Sequence, residues 1–191
     1  MIEALKSILK QATHGRSPED LEAEADRLAL EQAALAAKAD EITARAEELM
    51  ASAQMRRDRG DRIGAAIFYA EAITLLRANS NTTRELAYAL RHAADVRSEL
   101  KEYAVAGAHI EEAIRLYRSL VMSEEATPLD LANALRVAAL NGERQAHSAW
   151  VEACDLYTDL AITTATDECA QHLECLKHHN EVSKNLQEPA A

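Results

Sequence analysis

The string "LAYALRHAA" runs from Leu86 to Ala94, and "LANALRVAA" repeats most of it from Leu131 to Ala139. A second set of strings recurs between and around them: "AEAITLLRANS" from Ala70, "EEAIRLYRSL" from Glu111 and "VEACDLYTDL" from Val151. Matching Ala72 to Ala113 gives a period of 41, and Ala113 to Ala153 a period of 40. Both kinds of string carry apolar residues at helical spacing, so each period holds two helices. A two-helix unit at a fixed period near 40 cannot bury its apolar face alone. It stacks on its neighbours, and the expected fold is all-α, an α-solenoid of about three helical hairpins. Only five Gly and three Pro are present, too few for the turns of an all-β chain. Aromatics make up 4% and Ala is abundant, which favours helices packed through small side chains.

Local signals divide the chain. Ser17-Pro18-Glu19-Asp20 starts a helix, since Ser caps, Pro suits the first helical position and acids favour the positive pole. Thr82 or Thr83 is placed to cap a helix beginning near Arg84, and Thr127-Pro128 opens another. The expected organisation is an N-terminal helical extension over 1–40, an array over 41–161 (41–80, 81–122 and 127–161), and a capping helix with a tail over 162–191. In that last helix Cys169, Leu173, Leu176 and Val182 are expected to face inward. Leu21, Leu28, Leu35, Ile42 and Leu49 recur every seven residues, followed four places on by Ala25, Gln32, Ala39, Ala46 and Ala53. Residues 18–58 are therefore one helix of about 60 Å or two helices broken near Lys38-Ala39-Asp40. A break is favoured, because so long a helix needs a partner along its whole length. The seam serves intramolecular packing or, alternatively, a homodimer.

The strings resemble the tetratricopeptide repeat (TPR) family, in the longer-period variety of kinesin light chains. The middle repeat carries the resemblance best, with Leu90, Ala93 and Ala94, then Tyr103, Ala106, Ile110 and Ala113. The first supplies Leu49, Ala53, a turn at Gly60, Ala65, Tyr69 and Ala72. The third supplies Leu135, Ala138, Ala139, Ala146, Trp150 and Ala153. Two departures stand out. Lys101 occupies a turn where the family usually has Gly, and the third hairpin is five residues shorter between its helices, ending its first helix near Asn141-Gly142.

The resemblance implies a concave groove lined by the first helix of each hairpin. By phase, Tyr88, Arg91, His92, Asp95 and Glu99 face it from the middle repeat, with Glu47, Met50, Gln54 and Arg57 from the first and Asn133, Arg136 and Val137 from the third. Arg91 and Arg136 are equivalent positions, and guanidinium suits bidentate carboxylate recognition. Some TPR domains hold a C-terminal carboxylate in a Lys/Asn/Arg clamp, of which Arg91, Asn133 and Arg136 are a part. The competing expectation is that these side chains are solvated or paired with Asp95 and Glu99.

Other chemistry finds less support. The net charge is −11, which disfavours nucleic acid. The charge is uneven: residues 61–120 carry eight bases and eight acids, while 121–191 carry four bases and twelve acids. The middle suits an acidic peptide better than the C-terminal third does. Arg56-Arg57-Asp58-Arg59-Gly60-Asp61-Arg62 is the densest basic run, and reads first as a solvated helix end and turn. Cys154, Cys169 and Cys175 form no CxxC, which points to a reducing compartment and a cytoplasmic location. Lys6 and Lys10 interrupt the N-terminal apolar stretch, so it is not read as a signal peptide, and no run approaches a membrane span. Asn81-Thr82-Thr83 then reads as a chance sequon. The chain has no HExxH, GxGxxG, P-loop or Glu-x-x-His. Cys169, His172, Cys175, His178 and His179 drift around a helix and do not converge on one ion, although Cys175 and His179 make half a site.

The expected function is a non-enzymatic, cofactor-free and metal-free scaffold that binds a peptide or protein segment, not nucleic acid or membrane. The peptide-binding candidates are Arg57, Tyr88, Arg91, His92, Asp95, Asn133 and Arg136. The alternatives are a structural protein dimerising through 18–58, and a small-ligand or metal-binding regulator. The repeat register makes one direct prediction. Ala113→Leu should overpack a helix seam and lower stability by about 1–3 kcal/mol; an unshifted thermal melt would refute the register.

Overall fold

The computed structural model describes residues 18–79, 82–141 and 146–174. Expectations that fall on 1–17, Asn81, Gly142, the Ala146 side chain and the tail from Cys175 onward (with Leu176, His178, His179 and Val182) lie outside the described residues. Among the described residues there are seven helices and no strand: α1 (Pro18–Asp58), α2 (Arg62–Arg77), α3 (Thr83–Glu99), α4 (Tyr103–Met122), α5 (Pro128–Asn141), α6 (Ala146–Asp159) and α7 over 163–174. The chain forms two compact units, Met1–Glu41 and Ile42–Ala191.

The break expected near Lys38-Ala39-Asp40 is absent, and α1 is one helix of 41 residues. No Gly or Pro interrupts it, and Ala, Leu, Glu, Lys and Arg, the strongest helix formers, make up most of it. Local propensity carries the helix through a stretch whose seam is exposed. Leu21, Leu28 and Leu35 keep 38%, 47% and 63% of their surface accessible. Full burial of the seam begins at Ala46, where Ala46, Leu49 and Ala53 are buried, after a half-buried Ile42.

In the second unit each helix from α2 to α5 packs against the one that follows, and α3 also touches α5. The contacts run through small residues. Ala53, Ala65, Ala72, Ala94, Ala106, Ala113 and Ala153 are fully buried, which lets helix axes come within about 8–10 Å. The volume that alanine leaves is filled by Tyr69, Tyr117, Trp150 and Tyr157, each nearly inaccessible. Cys169 is buried and Leu173 packs on the same core, so α7 covers the end of this cluster. Tyr103 opens α4 but its ring is exposed, and Ala138 is only half-buried. Among the described residues α5 runs for 14 residues to Asn141 and α3 for 17.

The turns share one device. At the ends of α1, α3, α4 and α6 the chain passes through the left-handed region at Gly60, Lys101, Glu124 and Ala161 (φ 81°, 63°, 61° and 57°). In each case the left-handed residue's N–H donates three residues back and the next N–H donates five back, as in Asp61 to Arg56 and Glu102 to Arg97, both at 2.9 Å. These are Schellman closures, which satisfy helix carbonyls that lack an internal partner. Of the helix starts read from the sequence, Thr127-Pro128 is capped as expected, while the Asp61 cap was not anticipated. Asp61 accepts from the Gly64 N–H at 2.8 Å, and Thr127 and Asp130 form a reciprocal box at α5. Thr82 precedes α3 but caps nothing with its side chain. Its buried hydroxyl instead donates to the Leu76 and Asn79 carbonyls, both at 2.8 Å, and ties off the end of α2.

One cross-link recurs with the period. Arg77 on α2 bridges Glu112 on α4 at 2.5 Å, and Arg118 on α4 bridges Glu152 on α6 at 2.7 Å. The arginines are 41 apart and the glutamates 40 apart. These pairs are partly exposed and stabilise little, yet they show that successive second helices meet in the same register.

A left-handed conformation costs an L-residue about 1 kcal/mol that glycine escapes. Lys101→Gly should therefore raise the thermal midpoint by about 2–4 °C. Gly60→Ala should lower it by a similar amount, since its methyl meets nothing within 4 Å and only the backbone resists. Denaturation of both variants checks the pair.

Candidate functional site

The first helices of the hairpins, α1, α3 and α5, carry a linked polar seam that continues onto α7. Arg57 on α1 bridges Asp95 on α3 at 2.6 Å and also reaches Glu99. Arg62 bridges the other Glu99 oxygen at 2.6 Å. Burial works against the Arg57 charge, but hydrogen bonds to Glu99 and the charge of Asp95 outweigh it and hold the guanidinium above its ordinary pKa. Glu99 is lowered in turn: partial burial opposes its charge, and Arg57 and Arg62 overcome that opposition. At the other end, Arg136 on α5 grips Glu168 on α7 through Nε at 3.2 Å and Nη2 at 2.6 Å. Those hydrogen bonds raise the Arg136 pKa. Glu168 lies 4.0 Å from His172, whose ring stacks on Trp150 at 4.5 Å.

Between these two clusters sits Arg91. Its guanidinium lies 5.4 Å from the Tyr88 ring centroid, and Nη2 contacts His92 Nε2 at 2.9 Å. His92 stacks on Tyr69 at 5.9 Å and leans on Tyr88 at 4.3 Å. Burial, then the charges of Arg91 and Arg57, push the His92 pKa down to about 3, so the ring is neutral at physiological pH and Nε2 can accept from Arg91. Arg91 also hydrogen-bonds the buried Tyr117 hydroxyl; its Nε is buried without a hydrogen-bond partner, and among the described residues no carboxylate bridges this side chain.

The expected residues thus fall into three groups. Arg57, Asp95 and Arg136 are committed to ion pairs within the chain, so Arg91 and Arg136 do not form a matched pair of open guanidiniums. Asn133 accepts a hydrogen bond from the Tyr157 hydroxyl at 2.8 Å, and Gln54 does the same for Tyr69 at 3.3 Å. Tyr88, Arg91 and His92 form one aromatic-bracketed cluster around a guanidinium with spare donor capacity. Met50 and Val137, expected on the wall, are buried instead, because each packs into the core cluster. The pairing of Asp95 and Glu99 was anticipated, but their partner is Arg57, not Arg91.

Two cavities lie elsewhere. One of about 580 Å³ is lined by Leu49, Ile67, Thr74, Leu75 and Arg97, and one of about 290 Å³ by Ile114, Arg118, Leu135 and Glu152. Neither is lined by Tyr88, Arg91 or His92. Three arginines of the basic run at the end of α1 are paired within the chain: Arg56 bridges Asp61 at 2.6 Å, while Arg57 and Arg62 take Glu99. Cys154 is half-buried, and burial followed by the nearby Cys154 thiol pushes Cys169 up to about 11, which makes Cys169 a packing thiol. Among the described residues no three His, Cys, Asp or Glu side chains converge on a metal position, and no helix is long and apolar enough to cross a membrane. No protein-family model matches the chain, and no curated protein matches it.

The His92 shift has a measurable consequence. Unfolded histidine titrates near 6.5, so between pH 6.5 and about 3 the unfolded chain holds a proton that the folded chain lacks. Stability is fully present above pH 6.5 and falls as pH drops, by up to about 1.4 kcal/mol per unit from this ring. His109, lowered by burial and then by Arg77 and Arg97, acts in the same direction. Urea denaturation between pH 7.5 and 5 should show the loss, with a shallower slope for His92→Gln. Identical slopes would contradict the neutral, buried His92.

Proposed function

We propose that the chain is a TPR-like α-solenoid whose first-helix face binds a protein or peptide segment, with a carboxylate of the ligand on Arg91. The observation that carries this reading is Arg91 itself. It is a half-buried guanidinium held between Tyr88 and His92, with an unsatisfied Nε and no bridging carboxylate among the described residues. The guanidinium already meets His92 and the Tyr117 hydroxyl but carries no carboxylate, and an incoming carboxylate would add a charge-assisted contact. Tyr88 keeps 41% of its surface accessible beside it, a rigid apolar surface of the kind that anchors peptides. Supporting the TPR reading are the period of 40–41, the alanine seams, the paired helices and the recurring Arg–Glu links. The role is non-enzymatic and the site is cytoplasmic in this reading.

The test uses a random peptide library with free C-termini and acidic side chains, selected on immobilised full-length protein. Selected peptides are then titrated by fluorescence anisotropy. Arg91→Ala should weaken binding by at least about tenfold, and Arg91→Lys should recover only part of it, because lysine cannot make the planar fork. Arg91→Ala leaves the buried Tyr117 hydroxyl without this partner and should lower the thermal midpoint by a few degrees, so binding is compared at a temperature where both variants are folded. A library that yields no binder, or binders indifferent to Arg91, would refute the proposal.

A further inference from the structure

The first part of α1 displays an apolar seam whose row is buried further along the same helix. Leu21, Leu28 and Leu35 are exposed, Ile42 is half-buried and Leu49 is buried in the array. In heptad terms the leucine row takes position d, because the residues three places after it are charged: Glu24, Glu31, Lys38 and Arg45. The row four places after it, Ala25, Gln32 and Ala39, then takes position a, and Glu24, Glu31, Lys38 and Arg45 become the flanking g positions. The e positions Ala29 and Ala36 are small and uncharged.

We propose that this stretch pairs with the same stretch of a second copy of the chain, antiparallel, with core layers over residues 25–42 and flanking charges from 24 to 45. Charge decides both orientation and register. In a parallel pair each g residue meets an e residue of the partner, so Glu31 faces Ala36 and Lys38 faces Thr43, and no ion pair forms. In an antiparallel pair g meets g. One register sets Glu31 against Lys38 and Glu24 against Arg45, each twice by symmetry. Sliding by one heptad either way sets Glu31 on Glu31 or Lys38 on Lys38. The favoured register also layers large on small: Leu28 on Ala39, Leu35 on Gln32 and Ile42 on Ala25. Such layers permit close helix approach, and the paired Gln32 positions near the twofold penalise slipped registers. The next layer would use Ala46, which is fully buried in the array, so the pairing stops at Ile42. Glu24 and Arg45 have same-helix neighbours in Arg27 at 3.8 Å and Glu48 at 2.8 Å, exposed pairs that cost little to exchange.

The test is a charge swap in the full chain, read by sedimentation equilibrium at low ionic strength from about 1 to 100 µM, where a modest coiled-coil Kd falls. Wild type should show a monomer–dimer equilibrium. Glu31→Lys alone and Lys38→Glu alone each replace two attractions with two repulsions and should weaken dimerisation by about tenfold. The double variant should restore wild-type affinity, and circular dichroism should show unchanged helix in all four proteins. A wild type monomeric across the range overturns the proposal, and so does a dimer indifferent to the single swaps. Single-swap losses that the double variant fails to rescue overturn it as well.

Discussion

The second unit depends on close approach between helices at alanine. Fully buried Ala53, Ala72, Ala94, Ala113 and Ala153 bring backbones together, but each buries little apolar area. The deficit is met by the few large rings, Tyr69, Tyr117, Trp150 and Tyr157, set where the small rows leave room. A buried tyrosine brings a hydroxyl that must be satisfied. Gln54 accepts from Tyr69 and Asn133 accepts from Tyr157, both from first helices. Two residues of the polar seam are therefore there because the core needs them. Arg91 shares part of that obligation, since it hydrogen-bonds the buried Tyr117 hydroxyl, but its Nε remains without a partner.

The same contrast explains what was legible in the sequence. The alternation of helices after Gly60, the cap at Thr127 and many of the small buried positions were readable, because each rests on local spacing or on one residue's conformational preference. Gly60 announced a left-handed turn, whereas Lys101, Glu124 and Ala161 adopt that conformation with side chains that give no such signal. The break expected in α1 rested on the need for a partner. The outcome followed propensity, because nothing between Pro18 and Gly60 stops a helix. Partners within the polar seam were less accessible. Arg57 with Asp95 and Arg136 with Glu168 depend on how each helix is rotated about its axis, which periodicity fixes only to within a residue or so. The Arg77–Glu112 and Arg118–Glu152 links carried a signal of their own, a charge pair recurring at the repeat period.

Arg57 and Arg136 are spent because the neighbouring first helices offer acids at the right phase: Asp95 and Glu99 on α3, and Glu168 on α7. Arg91 is not, and the composition of α5 gives the reason. "PLDLANALRVAALN" holds a single acid, Asp130, and its carboxylate is taken by the Thr127 N–H and hydroxyl in the helix cap. The middle of the seam therefore has positive capacity inside a chain of net charge −11. A long-range field cannot select such a site, since the surrounding charge repels acidic ligands at a distance. Selection there must come from contact: a guanidinium already oriented by Tyr88 and by a neutral His92. In the proposed reading a ligand carboxylate goes to Arg91 because Arg57 and Arg136 already hold internal carboxylates.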